Sequence, residues 1–145
     1  MASSYFEKNQ NIISVVGDDF PKDTLDDLNR RGIDTKGLQV KEGEKTFFWS
    51  GKYHNDMNSR DTLITELNVL ENFDPLVPEE YQDSEYLMLG NLSPLVQSTV
   101  ITRLNKRPKL IAMDTMNFWM DIAMGDLEKT ISMVDLLIIN DEEAR

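Results

Sequence analysis

Cysteine is absent from the 145 residues, which removes disulfides, thiolate catalysis and Cys-ligated zinc. Histidine occurs once, at position 54, within the turn-forming stretch HNDMNSRD. Bases are scarce: 15 Lys and Arg stand against 26 Asp and Glu, for a net charge of −11. A phosphate backbone is drawn to clustered bases. The one basic cluster, Arg103, Lys106, Arg107 and Lys109, contains no aromatic residue on which a base could stack. A nucleic-acid partner is therefore not expected. Long apolar runs are missing too, none approaching the ~20 residues of a membrane helix. MASSYFEKNQ lacks the basic and apolar regions of a secretory signal. No membrane partner is expected, and a cytoplasmic location is. The seven glycines form no G-x-G-x-x-G or Walker A, and H-E-x-x-H is absent.

What remains is an ordinary globular composition, 40% hydrophobic and 28% charged, long enough for one domain with a real core. IISVV at 12–16 runs into Gly17, Asp18, Asp19 and Pro21 and reads as a buried strand closed by a turn. Residues 22–31 carry Leu25 and Leu28 among charges, with Gly32 as the stop, and predict a short amphipathic helix. From Leu38 to Leu70 the texture is that of a half-exposed β-ribbon: aromatics in KTFFWSGKYHND, then Leu63, Thr65, Leu67 and Val69 alternating with their neighbours.

Beyond FDPLVPEEY the order becomes regular. EYLMLGN, LIAMD and LLIIN are apolar strands about 25 residues apart. Between them, SPLVQSTVITRLNKR opens with a helical start at Ser93-Pro94 and DLEKTISMVD is helical. Strand, helix, strand, helix, strand predicts a parallel sheet covered by helices, with residues 38–70 set apart as an insertion or flap.

Ligands of open parallel sheets bind beyond the carboxyl ends of the strands. Those ends read Gly17-Asp18-Asp19, Gly90-Asn91, Asp114-Thr115-Met116-Asn117 and Asn140-Asp141-Glu142-Glu143. Asn and Asp are good turn and cap residues, so each end has a purely structural reading. Together they make a candidate rim. Asn140 and Glu143 have capping-box spacing, and acids suit the first turn of a helix. Whether they also face a phosphate is left open by spacing alone. His54 reads as a solvated loop residue. Phe47 and Trp49 read as packing or a stacking platform. MDTMN places an aspartate after a strand, as phosphatases do, but without a second Asp two residues on.

Taken together, VVGDDFP, GID-x-x-GL, EKTFFWSGKYHNDMNSRDTL, YLMLGNLSP, IAMDTMNFW and VDLLIINDEEAR resemble the ribokinase/phosphofructokinase-B family of carbohydrate kinases, across essentially the whole chain and in order. The resemblance implies a ribokinase-like α/β sandwich, a parallel sheet with flanking helices and a small β-sheet lid at 38–70. It implies ATP as co-substrate, Mg²⁺, a sugar or sugar-like substrate and a homodimer formed through the lid. On this resemblance Asn91 lies near the phosphoacceptor, and Asp114 and Asn117 lie towards the phosphates. Asn140 and Glu143 match an N-x-x-E element that places Mg²⁺ and the ATP phosphates, Glu143 acting through water. Asn58 and Arg60 of the lid are expected substrate contacts.

Two family elements have no match, a leading strand with a di-glycine segment and a G-x-G-D whose Asp is the catalytic base. The expectation is accordingly a central fragment, residues 1–145 forming one partial domain with no catalytic base of its own and negligible activity alone. The rival reading is a non-catalytic module that self-associates through the ribbon, whose strand edges invite pairing. A third, a metal-dependent hydrolase built on Asp18, Asp19 and Asp114, lacks a supporting histidine or paired aspartate.

Overall fold

In the computed structural model, residues 2–55, 60–141, 143 and 144 are described. The chain divides into two units, residues 1–76 and 77–145. Among the described residues no helix is long and apolar enough to cross a membrane.

In the first unit the β-branched run becomes β1 (Gln10–Gly17), with Val15 and Val16 buried. Helix α1 (Lys22–Arg30) buries Leu28, and Gly32 at φ +76° ends it, the left-handed conformation glycine takes without steric cost. Strand β2 (Ile33–Lys41) returns parallel to β1, Gln10 opposite Ile33 and Gly17 opposite Lys41. Residues 38–41, which composition assigns to the ribbon, thus belong to β2. Gly37 and Lys36 weaken the strand signal, and the partner that holds it is more than twenty residues away. The ribbon proper is β3 (Phe48–Tyr53) antiparallel to β4 (Arg60–Glu66), with an irregularity between Ser50 and Gly51. The alternation that predicts strand as far as Leu70 stops at Glu66. Residues 68–70 form a 3-10 turn with Asn68 at φ +48°, held by a 2.9 Å bond from Asn68 Nδ2 to the Thr46 carbonyl.

Thr46 also closes the carboxyl end of β1. Its hydroxyl receives the Gly17 N–H at 2.9 Å and donates to Asp19 Oδ1 at 2.6 Å, and its own N–H donates to the same oxygen at 2.8 Å. Gly43 N–H donates to Asp18 Oδ2 at 2.8 Å. The 44–46 backbone comes so close that a Cβ on Gly17 would meet the Glu44 carbonyl oxygen.

The second unit follows the predicted alternation. Strands β5 (Tyr86–Leu89), β6 (Leu110–Asp114) and β7 (Leu136–Ile138) pair in parallel in the order β5-β6-β7. Helix α2 (Pro94–Thr102), with Pro94 in its first turn, joins β5 to β6. Helices α3 (Asn117–Ile122) and α4 (Met124–Ile131) join β6 to β7. Both crossovers step in the same direction, so their common right-handedness puts the helices on one face. Leu89, Ile111 and Met113 are buried, and Thr130 pins α4 to α2 through a 3.0 Å bond from its hydroxyl to the Pro94 carbonyl. Tyr86, Met88, Leu110, Leu136 and Ile138 are exposed; their registers place them on the other face.

Helix α4 stops at Ile131, short of the expected 135, because Asp135 has a different task. Its N–H donates to the Ile111 carbonyl at 2.9 Å and its carboxylate receives the Ile111 N–H at 2.8 Å. That extends the β6–β7 pairing backwards. Helix α3 was not expected from sequence.

Candidate functional site

The site residues of the second unit collect where three parallel strands end. Asp114 closes β6 and stands in register with Ile138 of β7, while Leu89 of β5 pairs with Met113. Asn91, Asn117, Asn140 and Glu143 all lie within a few residues of those ends, so the topology brings them to one edge. Beyond β7 the chain turns, with Ala144 N–H donating to the Asn140 carbonyl at 3.2 Å.

That turn is a reciprocal capping box. Asn140 N–H donates to Glu143 Oε2 at 3.0 Å, and Glu143 N–H donates to Asn140 Oδ1 at 3.0 Å. Glu143 is buried while Asn140 is exposed. The box therefore fixes a carboxylate inside the edge and leaves an amide at its rim. Asp114, close enough to feel Glu143, is pushed above the ordinary carboxylate value. Burial is the largest cause, the Glu143 charge adds to it, and a bond from the Thr115 N–H opposes it. Two acids sharing a half-dry edge favour a cation or a proton between them.

On the β5 side, Asn91 is oriented by two bonds that sequence did not reveal. Its Oδ1 accepts from Trp119 Nε1 at 2.8 Å and its Nδ2 donates to Met116 Sδ at 3.0 Å. Trp119 in turn packs edge-on against Phe118, ring centroids 4.9 Å apart. Asn117 is exposed as the first residue of α3. Beneath them Gln97, buried at 2% exposure, donates from Nε2 to the Gly90 carbonyl at 2.8 Å and to the Asp114 carbonyl at 3.0 Å. Its only trace in the sequence is one long polar side chain inside the apolar start of α2.

The remaining sequence candidates lie in the first unit. Arg60 opens β4, its guanidinium 6.0 Å from the centroid of the Trp49 ring, and Trp49 Nε1 reaches Thr62 Oγ1 at 3.4 Å. The Trp49 ring covers Gly51 so closely that a Cβ there would meet it. Asn58 lies outside the described residues. His54 Nε2 stands 3.0 Å from Asp61 Oδ2 on the exposed ribbon. Phe47 lines a recess of about 400 Å³ with Phe20, Lys45, Phe48, Glu66 and Asn68. Asp18 and Asp19 are engaged by the 43–46 loop, and among the described residues no group of three or more His, Cys, Asp or Glu is arranged to hold a metal ion directly. Nothing here favours the hydrolase reading.

No family model matches the chain, and no curated protein matches it. Solved structures do. A nucleoside kinase of Methanocaldococcus jannaschii, an archaeal member of the ribokinase family, aligns over 94% of this chain with TM-score 0.71 at 18% identity. The fold is ribokinase-like. The Burkholderia thailandensis nucleoside kinase, solved in complex with inosine, aligns over 99% with TM-score 0.74 at 12% identity. An uncharacterised sugar kinase of Pyrococcus horikoshii aligns over 97% with TM-score 0.61 at 20% identity. The present chain spans 44%, 46% and 50% of those three proteins, so the ribokinase-like fold is represented by a partial domain.

Proposed function

We propose that this chain is the central part of an ATP-dependent kinase that transfers the γ-phosphoryl group to a hydroxyl of a sugar, nucleoside or related small molecule. The observation that carries the proposal is the capping box at the carboxyl edge of the β5-β6-β7 sheet, which holds Glu143 close enough for its charge to help raise Asp114. The ribokinase-like fold supports it, since proteins sharing that fold include nucleoside and sugar kinases. A cytoplasmic location goes with the proposal.

The donor set fits a hydrated Mg²⁺. Such an ion keeps several waters and takes one or two carboxylates together with substrate phosphates, and Asp114 and Glu143 are two carboxylates at one edge. When bound with ATP, Mg²⁺ supplies neutralisation of phosphate charge. The chain's own residues do the rest. Asn140 holds Glu143 in place, and Asn117 offers an exposed amide to the phosphates. Asn91, locked by Trp119 and Met116, faces the acceptor hydroxyl. For the intact kinase, Arg60 and Asn58 are proposed as substrate contacts on the family resemblance alone. None of the 145 residues is assigned as general base, because no G-x-G-D occurs among them, so the chain alone is expected to bind without transferring.

Calorimetric titration with Mg-ATP tests this. Binding should be measurable for the wild type and strongly weakened in Glu143→Gln, which keeps the cap's acceptor and loses the charge. Equal responses from both would sink the proposal, and sugar phosphorylation above background by the chain alone would overturn the expectation that it binds without transferring.

A second reading, self-association without catalysis, is favoured by one observation: Phe48, Tyr53, Leu63 and Ile64 of the ribbon are all exposed. It is compatible with the kinase reading, in which the ribbon is a lid and a homodimer contact. A concentration-dependent dimer that gives no response to Mg-ATP would favour the module over the kinase.

A further inference from the structure

The β5–β6 ladder ends at the pair Leu89–Met113. One residue further on, Gly90 and Asp114 are joined through a side chain instead, the Gln97 carboxamide bonded to both carbonyls. The orientation of that amide is settled by its partners. Both are acceptors, so exchanging nitrogen and oxygen would set three oxygens against one another.

Among the described residues this leaves Gln97 Oε1 buried with no donor, and Thr115 Oγ1, at the position following Asp114, is buried with no partner either. Gln97 is 2% and Thr115 5% exposed. Both groups are tied to the same piece of backbone, one by a hydrogen bond to the Asp114 carbonyl and the other by the next peptide bond. An orphaned buried polar group is destabilising, and buried waters form hydrogen bonds to such groups. A water can donate to the glutamine oxygen and exchange a bond with the threonine hydroxyl.

We propose that Gln97 is a positioning residue, and that its Oε1 and the Thr115 hydroxyl hold one ordered water that completes a brace across the ends of β5 and β6. The brace sets the gap between Gly90-Asn91 and Asp114. Asn91 passes that spacing on to Trp119 and Met116 through its two bonds. The positioning role rests on the nucleotide-site reading above, but the brace does not, so its test uses no nucleotide.

The experiment is water–protein magnetisation transfer on the isotope-labelled 145-residue chain, with the two tryptophan indole N–H resonances as a second readout. The expected result is a long-lived water in contact with Thr115 and the Gln97 side chain, lost in Thr115→Val. In Gln97→Met the Trp119 resonance should move by more than a line width while that of Trp49, in the ribbon, stays in place. Val100→Ala, which trims the same helix without touching the brace, should lower stability and leave Trp119 unmoved. The proposal is overturned by a wild type with no such water, or by a folded Gln97→Met with Trp119 unchanged. If Gln97→Met does not fold, the wild-type water and its loss in Thr115→Val decide the matter.

Discussion

Cutting the Asn140–Glu143 box one bond at a time should produce unequal losses. Asn140→Ala removes the acceptor of the Glu143 N–H, which belongs to a buried residue. Loss of an Asn cap typically costs about 0.5–2 kcal/mol, and the burial of the orphaned amide argues for the upper half of that range. Glu143→Ala orphans the Asn140 N–H, which belongs to an exposed residue and can turn to water. It also removes a charge that opposes ionisation of Asp114, so its cost should be smaller, about 1 kcal/mol or less. The two bonds support the same turn, so the double variant should cost less than the sum of the singles. Glu143→Gln keeps an acceptor and loses only the charge, so it should be as stable as the wild type or more so near neutral pH. Urea denaturation followed by tryptophan fluorescence and, in parallel, by amide exchange at 110–144 measures all four, and keeps the second unit's transition apart from the first's. Strict additivity, or an Asn140→Ala variant indistinguishable from wild type, would show that the box does not stabilise this turn.

The acids at the two strand ends should respond oppositely to pH. The Thr46 hydroxyl, and then its amide, hold Asp19 below the ordinary value of 3.8. A depressed folded pKa contributes stability that is full above the ordinary value and lost as pH falls through the folded pKa, so the 43–46 loop should detach in acid, and Thr46→Val, which removes the hydroxyl and keeps the amide donor, should shrink that step in amide-exchange data. Asp114, with its pKa raised above 3.8, contributes stability that is full below that value and lost as pH rises through the folded pKa. Asp114→Asn should therefore raise the melting temperature near neutral pH and leave it unchanged in strong acid. Gly17→Ala sets a methyl against the Glu44–Thr46 backbone and should cost roughly 1–3 kcal/mol, read by chemical denaturation of the first unit. Replacing Leu63 and Ile64 together by lysine should abolish any concentration-dependent dimer in sedimentation while leaving the β5-β6-β7 unit's spectrum intact.

The second unit was legible because its signals are local. Each strand is an apolar run closed by Gly, Asn or Asp, and Pro94 marks the start of α2. The Asn140–Glu143 spacing is enough to specify its own two hydrogen bonds. Strand β2 was obscured because IDTKGLQVK carries glycine and lysine at its centre and depends on β1 for its pairing. Helix α3 is six residues with an extended Met116 before it and no side-chain cap, so neither periodicity nor a start signal announces it. The fastening of Asn91 escaped for a further reason, since Met116 and Trp119 reach it from 25 and 28 residues away. Gln97 is the same kind of case, binding a carbonyl 17 residues distant. Side chains whose partners are backbone atoms of another strand leave no pattern along the chain.

We propose that the carboxyl edge of β5-β6-β7 takes a Mg-nucleotide. This is tested most directly by mapping amide and indole shifts of the labelled chain during titration with Mg-ATP. Changes should be concentrated at 90–91, 114–119 and 140–144, including the Trp119 indole, and should be lost in Glu143→Gln. Shifts confined to the ribbon, or no shifts at saturating nucleotide, would contradict it.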